Sequence, residues 1–310
     1  MTTQYNIDSP LKIGTRGSPL ALAQAHETRA RLMEAHGLPE AAFTIKVIQT
    51  TGDAVQDRPL SEIGGKGLFT KEIQQALLDR RIDIAVHSMK DVATQLPDEL
   101  VIDCTLPRED VRDAFISRKY TSIEELPMGA VVGTSSLRRR AQLLTMRPDL
   151  ELVEFRGNVQ TRLKKLDNGV AEATFLACAG LRRLGNFDIA NPIETSVMLP
   201  ACAQGAVGIE RRRGDEVAQA VLSPIHHAKT FTRINAERAF LAELDGSCRT
   251  PIGGLLELDG DRFTFRGEII RPDGSQRFGG KWEGAVSEAT EISAEAGREL
   301  RAKGGEGFFG

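Results

Sequence analysis

VVGTSSLRRRAQLLTMRPDLELVEFRGNVQTRLKKLDNGVAEATFLA, from Val131 to Ala177, decides the fold. Val131 to Thr134 is a short apolar run of strand length, and Ser135 and Ser136 stand where they can cap a helix over Leu137 to Met146. Leu152 to Phe155 reads as the next strand, Arg156-Gly157-Asn158 as a turn, and Val159 to Leu166 as a helix stopped by Gly169. Ala173 to Ala177 is the third strand. Strands that alternate with helices predict parallel pairing, with helices covering both faces of the sheet.

The same unit recurs towards the N-terminus. Leu11 to Gly14 is a short strand, Ser18 sits at an N-cap, Pro19 at the first helical position, and Gly37 closes the helix. Phe43 to Thr50 alternates like a strand. The Gly-rich stretch Thr51 to Gly67 has no period and is long enough for a lid or mobile loop. Lys71 to Arg81 is predicted helical, Ile82 to Val86 a buried strand, and His87-Ser88-Met89-Lys90-Asp91 the turn after it. Beyond about Lys229 the texture changes. A helix over Phe231 to Leu244 ends at Asp245-Gly246. Three strands follow, separated by the hairpin signals Asp259-Gly260 and Asp273-Gly274, and then a Glu/Ala-rich helix from about Ser287 to Ala302. The expected fold class is α/β, with two lobes built on parallel-rich sheets and a small α+β C-terminal domain.

At 310 residues the chain is too long for one ordinary core. Its 41% hydrophobic and 27% charged residues are those of a globular protein, and a net charge of -3 argues against a nucleic-acid binder by bulk electrostatics. The polar start, Met1 to Pro10, lacks a signal-peptide pattern, and no apolar run approaches membrane-spanning length. Cys104, Cys178, Cys202 and Cys248 are scattered with no C-x-x-C pair, which favours a reducing compartment, the cytosol. The histidines show no metal-ligand spacing, so no metal is expected.

Arginine gathers at the strand-to-helix junctions of the second lobe: Arg138 and Arg139, then Arg156 and Arg162, then Arg183. Ligands of open α/β sheets bind beyond the carboxyl ends of the strands, where helix N-termini also present free N–H groups. A guanidinium grips a carboxylate or phosphate with a planar fork, so several forks at one sheet edge suit a ligand with several anionic arms. The plainer alternative for any one of them is a solvated helix-start arginine or an ion-pair partner. Thr15-Arg16-Gly17-Ser18 offers a matching edge in the first lobe, with Lys66 in the Gly-rich stretch. Gly64-Gly65-Lys66-Gly67 lacks the upstream glycine and following Ser/Thr of a phosphate-binding P-loop. Asp91, directly after a strand and beside Lys90, would be held ionised by nearby positive charge. That suits stabilising a cationic intermediate, although a plain turn-capping role fits as well. Cys248, in a Gly/Ser-rich turn beside Arg249, is either a nucleophilic thiolate or an inert small side chain.

Seven segments, in order, resemble the porphobilinogen deaminase (hydroxymethylbilane synthase) family: IGTRGSPLALAQ from Ile13, GGKGLFTKEI from Gly64, DIAVHSMKDV from Asp83, VGTSSLRRRAQL from Val132, FRGNVQTRLKKLDNG from Phe155, AGLRRLG from Ala179 and LDGSCRTPIGG from Leu244. The resemblance implies two periplasmic-binding-protein-like lobes with the active site between them, and a third domain. It places lobe one at 1–106 and 204–224, lobe two at 107–203 and the C-terminal domain at 225–310. It implies a dipyrromethane cofactor bound as a thioether to Cys248 and held by Lys90, Ser136, Arg138, Arg139 and Arg162. Asp91 would be the catalytic acid, Arg16, Ser18, Arg156 and Arg183 would bind substrate carboxylates, and Lys66 would belong to the lid. The implied activity is a transferase. It joins four porphobilinogen molecules head to tail with loss of ammonia and releases hydroxymethylbilane, in a monomer with no nucleic-acid or membrane partner. Ala203, in PACAQGAVGIE from Pro200, stands where the family more usually has Gly, which raises a question about the backbone there. Two other readings are a non-catalytic two-lobed binder of a polycarboxylate and a nucleic-acid binder using the arginine clusters. Aromatic content of 5% and the acidic net charge weaken the second.

Overall fold

The computed structural model describes residues 5–54, 67–246 and 250–309. Strands β1 (Leu11–Thr15), β2 (Phe43–Val47), β3 (Ile84–Ser88) and β4 (Leu100–Thr105) belong to the first lobe, with helices α1 (Pro19–His36), α2 (Thr51–Ala54) and α3 (Lys71–Leu78). The second lobe contains β5 (Asp113–Ser117), β6 (Val131–Gly133), α4 (Leu137–Met146), β7 (Glu151–Val153), α5 (Val159–Asp167), β8 (Ala173–Ala177), α6 (Cys178–Arg183) and β9 (Asn191–Pro192). The chain then supplies β10 (Val207–Arg212) and α7 (Glu216–Leu222) to the first sheet's lobe. The C-terminal region has α8 (Ala228–Glu243), β11 (Ile252–Asp259), β12 (Arg262–Ile270), β13 (Arg277–Ala285) and α9 (Ala289–Gly304).

Side-chain alternation explains why the first sheet, ordered β2-β1-β3-β10-β4, is covered on both faces. Ile84 and Val86 of β3 pack with Ala25 and Leu32 of α1 and with Val221 and Leu222 of α7. Ala85, between them, points to the opposite core with Ile73, Ala76 and Leu77 of α3. The second sheet, ordered β7-β6-β8-β5-β9, repeats the scheme. Phe115 and Phe175 face Leu143 of α4, whereas Ala114, Ile116 and Leu176 face Leu166 of α5 and Leu181 of α6. The sheets are mixed: each has a parallel core, β2-β1-β3 and β7-β6-β8, extended by antiparallel pairing. β10 runs antiparallel to both β3 and β4, and β5 antiparallel to both β8 and β9, so each sheet has four co-directed strands and one reversed strand.

Helix α1 starts and stops as its residues dictate: Ser18 Oγ accepts from Ala21 N at 3.3 Å, and Gly37 closes the helix with φ 63°. α3 ends at Leu78, three residues before the expected Arg81, and Arg80 turns the chain with φ 57°. Strand β3 begins at Ile84 and so takes in His87 and Ser88, which were expected in the turn.

By contacts the chain divides into two compact units. One comprises the first lobe up to Arg108 together with Ala206–Phe231, and the other comprises Glu109–Gly205 together with the chain from Thr232 on. Within the second unit the antiparallel sheet β11-β12-β13 has its own core, in which Phe263 and Phe265 meet Ala236 and Phe240 of α8 and Ala296 and Leu300 of α9.

Candidate functional site

In lobe one the site residues converge at the ends of β1 and β3. A pocket is lined by Arg16, Ser18, Gln24, Phe69, Ser88 and Asp91, among others. Arg16 follows β1, and its guanidinium lies 4.2 Å from the Phe69 ring centroid, a cation–π contact that holds the side chain beside the helix start. Ser18 caps α1, so the first N–H groups of an 18-residue helix open at this edge. Lys90 and Asp91 occupy a single 3₁₀ turn, Met89–Asp91, directly after β3. Met89 N donates to Ala206 O at 3.0 Å, which anchors that turn to the segment entering β10. Two polar pairs adjoin the same pocket. Gln24 Nε2 donates to Ser88 Oγ at 2.8 Å, and buried His87 Nε2 lies 2.9 Å from Glu210 Oε2, whose other oxygen accepts from Gln74. Gln24, Phe69 and Glu210 were not singled out from sequence. Their signal is spatial, since Glu210 is 123 residues from His87.

Lobe two positions its arginines with local devices. Ser136 is the N-cap of α4, its Oγ accepting from Arg139 N, while Ser135 Oγ accepts from Phe155 N at 3.0 Å and ties α4's start to the end of the neighbouring strand. Asn158 caps α5. Gly157, at φ 117°, sits so near the helix that a Cβ would come within 2.6 Å of Thr161 Cγ2. Arg162 Nε donates to Gly157 O at 2.9 Å and Lys165 Nζ to Arg156 O at 3.1 Å, so the turn before α5 is bound to two of its cations.

Arg138 and Arg139 are not solvated. They are 4% and 5% exposed, and both clasp Asp113, which has no exposed surface: Nη1 of Arg138 is 2.7 Å from one carboxylate oxygen and Nη2 of Arg139 2.6 Å from the other. Burial would raise the Asp113 pKa, but the two guanidiniums outweigh it and hold the carboxyl well below the usual range. Gln204 Nε2 also donates to Asp113, at 3.0 Å. Asp113, the partner of two candidate arginines, is the residue that sequence reasoning missed. An acid opening the otherwise apolar run Asp113-Ala114-Phe115-Ile116 was the available signal. Arg183 corrects another expectation. It ends α6 rather than starting a helix, and its Nη1 donates to Gly205 O at 3.2 Å. Lys66 and Cys248 lie outside the described residues.

Two observations test whether this arrangement suits a polycarboxylate group. Arg138 Nε is buried with no hydrogen-bond partner among the described residues. Arg162 is pushed down to about 10 by burial and by the positive charges of Arg139 and Arg156. A buried unpaired donor and a crowded cation both gain from an incoming anion, so the residues fit a ligand such as a dipyrrole with acidic arms. Cys104 and Cys178 are of a different kind. Burial, with smaller contributions from Asp103 and Asp110 respectively, pushes both thiols up to about 12, and such thiols are inert.

Two family models match successive parts of the chain. Residues 11–220 match the family described as porphobilinogen deaminase, dipyromethane cofactor binding domain, and residues 231–302 match the porphobilinogen deaminase C-terminal domain. The porphobilinogen deaminase of Paracoccus denitrificans is 60% identical over 310 residues, covering 100% of this chain and 99% of its own. That of Nitrobacter hamburgensis is 56% identical over 310 residues, covering 100% and 98%. Among solved structures, a putative methionine-binding lipoprotein of Bacillus subtilis aligns with 72% of this chain and 92% of its own, at TM-score 0.41 and 16% identity. A periplasmic substrate-binding protein of an ABC transporter from Coxiella burnetii aligns with 72% and 94%, at TM-score 0.42 and 14% identity.

Proposed function

The chain belongs to the porphobilinogen deaminase family, and we propose on that premise how its residues divide the family's reaction. It is a dipyrromethane-dependent transferase of tetrapyrrole biosynthesis that condenses four porphobilinogen molecules, with loss of ammonia, into hydroxymethylbilane. When bound as a thioether at Cys248, the dipyrromethane supplies the free pyrrole carbon at which the chain grows.

Asp91 is the catalytic acid. When the C–N bond of porphobilinogen's aminomethyl group, protonated as the ammonium, breaks, nitrogen leaves with the bonding electron pair as ammonia and the pyrrole keeps the positive charge. A carboxylate fixed on the short turn after β3 stabilises that charge without having to reorganise. Arg16 and Ser18, beside the open N–H groups of α1, bind the acetate and propionate arms of the substrate, as do Arg156 and Arg183 of lobe two. Lys66 acts from the Gly-rich stretch. Ser136, Arg138, Arg139 and Arg162, with Lys90, hold the carboxylates of the cofactor. The observation that supports this reading most directly is the buried, unpaired Nε of Arg138 beside the Asp113-held forks. The enzyme works as a monomer in the cytosol; among the described residues no helix is long and apolar enough to cross a membrane.

Intact mass spectrometry tests the reading. The purified protein should exceed its polypeptide mass by the cofactor, and incubation with porphobilinogen should add pyrrole units one at a time. A bare polypeptide mass, unchanged by substrate, overturns the assignment in favour of a simple binder. Asp91→Asn should keep the cofactor mass and the fold while turnover drops by about three orders of magnitude. Parental turnover in that variant removes Asp91 from the mechanism.

A further inference from the structure

Two glycines of the Leu244–Gly254 motif lie beyond the turn expected around Cys248. Gly253 and Gly254 lie in β11, and neither takes a positive φ. What they leave is space. A Cβ on Gly254 would stand 2.6 Å from Cys202 Sγ, and one on Gly253 would stand 3.0 Å from Glu268 Oε1 and 3.2 Å from Leu199 Cβ. β11 therefore lies hard against the segment Leu199–Ala203 that ends lobe two. Gly254 N donates to Pro200 O at 3.0 Å, and Cys202 is packed into the core of the C-terminal sheet. Ala203 N donates to Glu237 Oε2 of α8 at 2.6 Å, and the other oxygen of Glu237 accepts from Leu256 N.

A side-chain relay runs beside that strap. In β12 the residues alternating with core-facing Phe263 and Phe265 point the other way, towards lobe two, and Glu268 is one of them. Gln142 of α4 donates from Nε2 to Glu268 Oε1 at 2.5 Å and to Leu199 O at 2.8 Å. Both partners are acceptors, so the amide is oriented and its oxygen is left to accept from Arg138 Nη1, at 2.9 Å. The same Nη1 also donates to Leu199 O at 3.0 Å and lies 2.7 Å from Asp113 Oδ2. Arg277 pairs with the second oxygen of Glu268. Gln142 and Glu268 are both buried.

We propose that Gln142 and Glu268 are positioning residues that latch the C-terminal domain to α4, so that the domain carrying Cys248 and the guanidinium of Arg138 keep one register and the tethered cofactor meets its clamp. This rests on the reading of Cys248 and Arg138 as cofactor ligands. Apolar packing alone would bind the two parts with some freedom to slide. Directional bonds among buried groups penalise every other alignment, because each shift leaves a desolvated polar atom unpaired.

Gln142→Met conserves volume and removes the relay, while Glu268→Gln removes its carboxylate. For each, the cofactor-loaded fraction is read by intact mass, the melting temperature by thermal unfolding, and kcat and KM on the loaded protein. The latch predicts a clearly reduced loaded fraction and a kcat lower by about tenfold, with KM within about twofold of the parent. Variants that melt earlier yet load fully and turn over at the parental rate overturn it, since the contact is then only structural. Should Gln142→Met fail to fold, Glu268→Gln carries the test alone. Arg138→Lys keeps the charge but loses the fork. Parental loading and turnover in Arg138→Lys remove the cofactor reading, and the latch with it. Impaired Arg138→Lys beside parental latch variants overturns the latch alone.

Discussion

Asp113 is flanked by two guanidiniums in a fully buried site, and that geometry fixes the sign of its contribution to stability. Its folded-state pKa is depressed, so the stabilisation is present above the unfolded value of about 3.9 and is lost as pH falls below it towards the folded value. Asp113→Asn leaves two buried arginines without their counter-charge and should cost about 3–5 kcal/mol at pH 7. Urea unfolding of parent and variant should show that gap closing below about pH 4; a gap that stays constant down to pH 2 would exclude the ion triad as its source. Ala203 is a second residue-scale case. It holds φ 61°, a left-handed conformation that costs a residue with a Cβ about 1 kcal/mol, and it is kept there by its bond to buried Glu237. Ala203→Gly should therefore raise stability by about 0.5–1 kcal/mol in thermal unfolding, with activity retained. A lower melting temperature would show that the strain is absent.

At the scale of elements, β10 does more than complete a sheet. It runs against β3, and Gly208 lets the two strands' surroundings close on Met89: a Cβ there would come within 2.1 Å of Met89 Sδ. Met89 begins the turn that carries Asp91. Gly208→Ala should displace that turn, costing about 1–3 kcal/mol of stability through overpacking. Its kcat should fall by a larger factor than cofactor loading does. Parental kcat in a folded Gly208→Ala protein would sever the link from β10 to Asp91. The elements themselves were unevenly legible. α4 was readable to the residue because Ser136 caps it and the apolar period runs unbroken to Met146. The reversal of β5 and β10 was not, because period-two alternation is the same for a strand running in either direction.

Over the whole molecule, the net charge of -3 conceals a cationic concentration around Arg139, Arg156 and Arg162. Arg162 has a folded pKa below its ordinary value, so its charged form costs stability at every pH below about 10, a cost that a bound anion relieves. A Cys248→Ala protein, unable to tether the cofactor, should therefore rise in melting temperature with added phosphate or sulfate, and by more than the loaded parent does. Equal responses of the two proteins would show that the cofactor does not occupy that cluster.

The amino-acid sequence by itself determined the strand–helix units, their caps, the junctions at which arginines appear and the family to which the motifs belong. Each of these is local: a cap acts three residues ahead, and a helical or strand period repeats within one element. Only the tertiary structure decided which partner each charge would find. Asp113 lies 26 residues from Arg139, and Glu268 lies 126 from Gln142. No pattern around either residue states the pairing, because it exists only once sheet and helix have brought the side chains within reach and water has been excluded from between them.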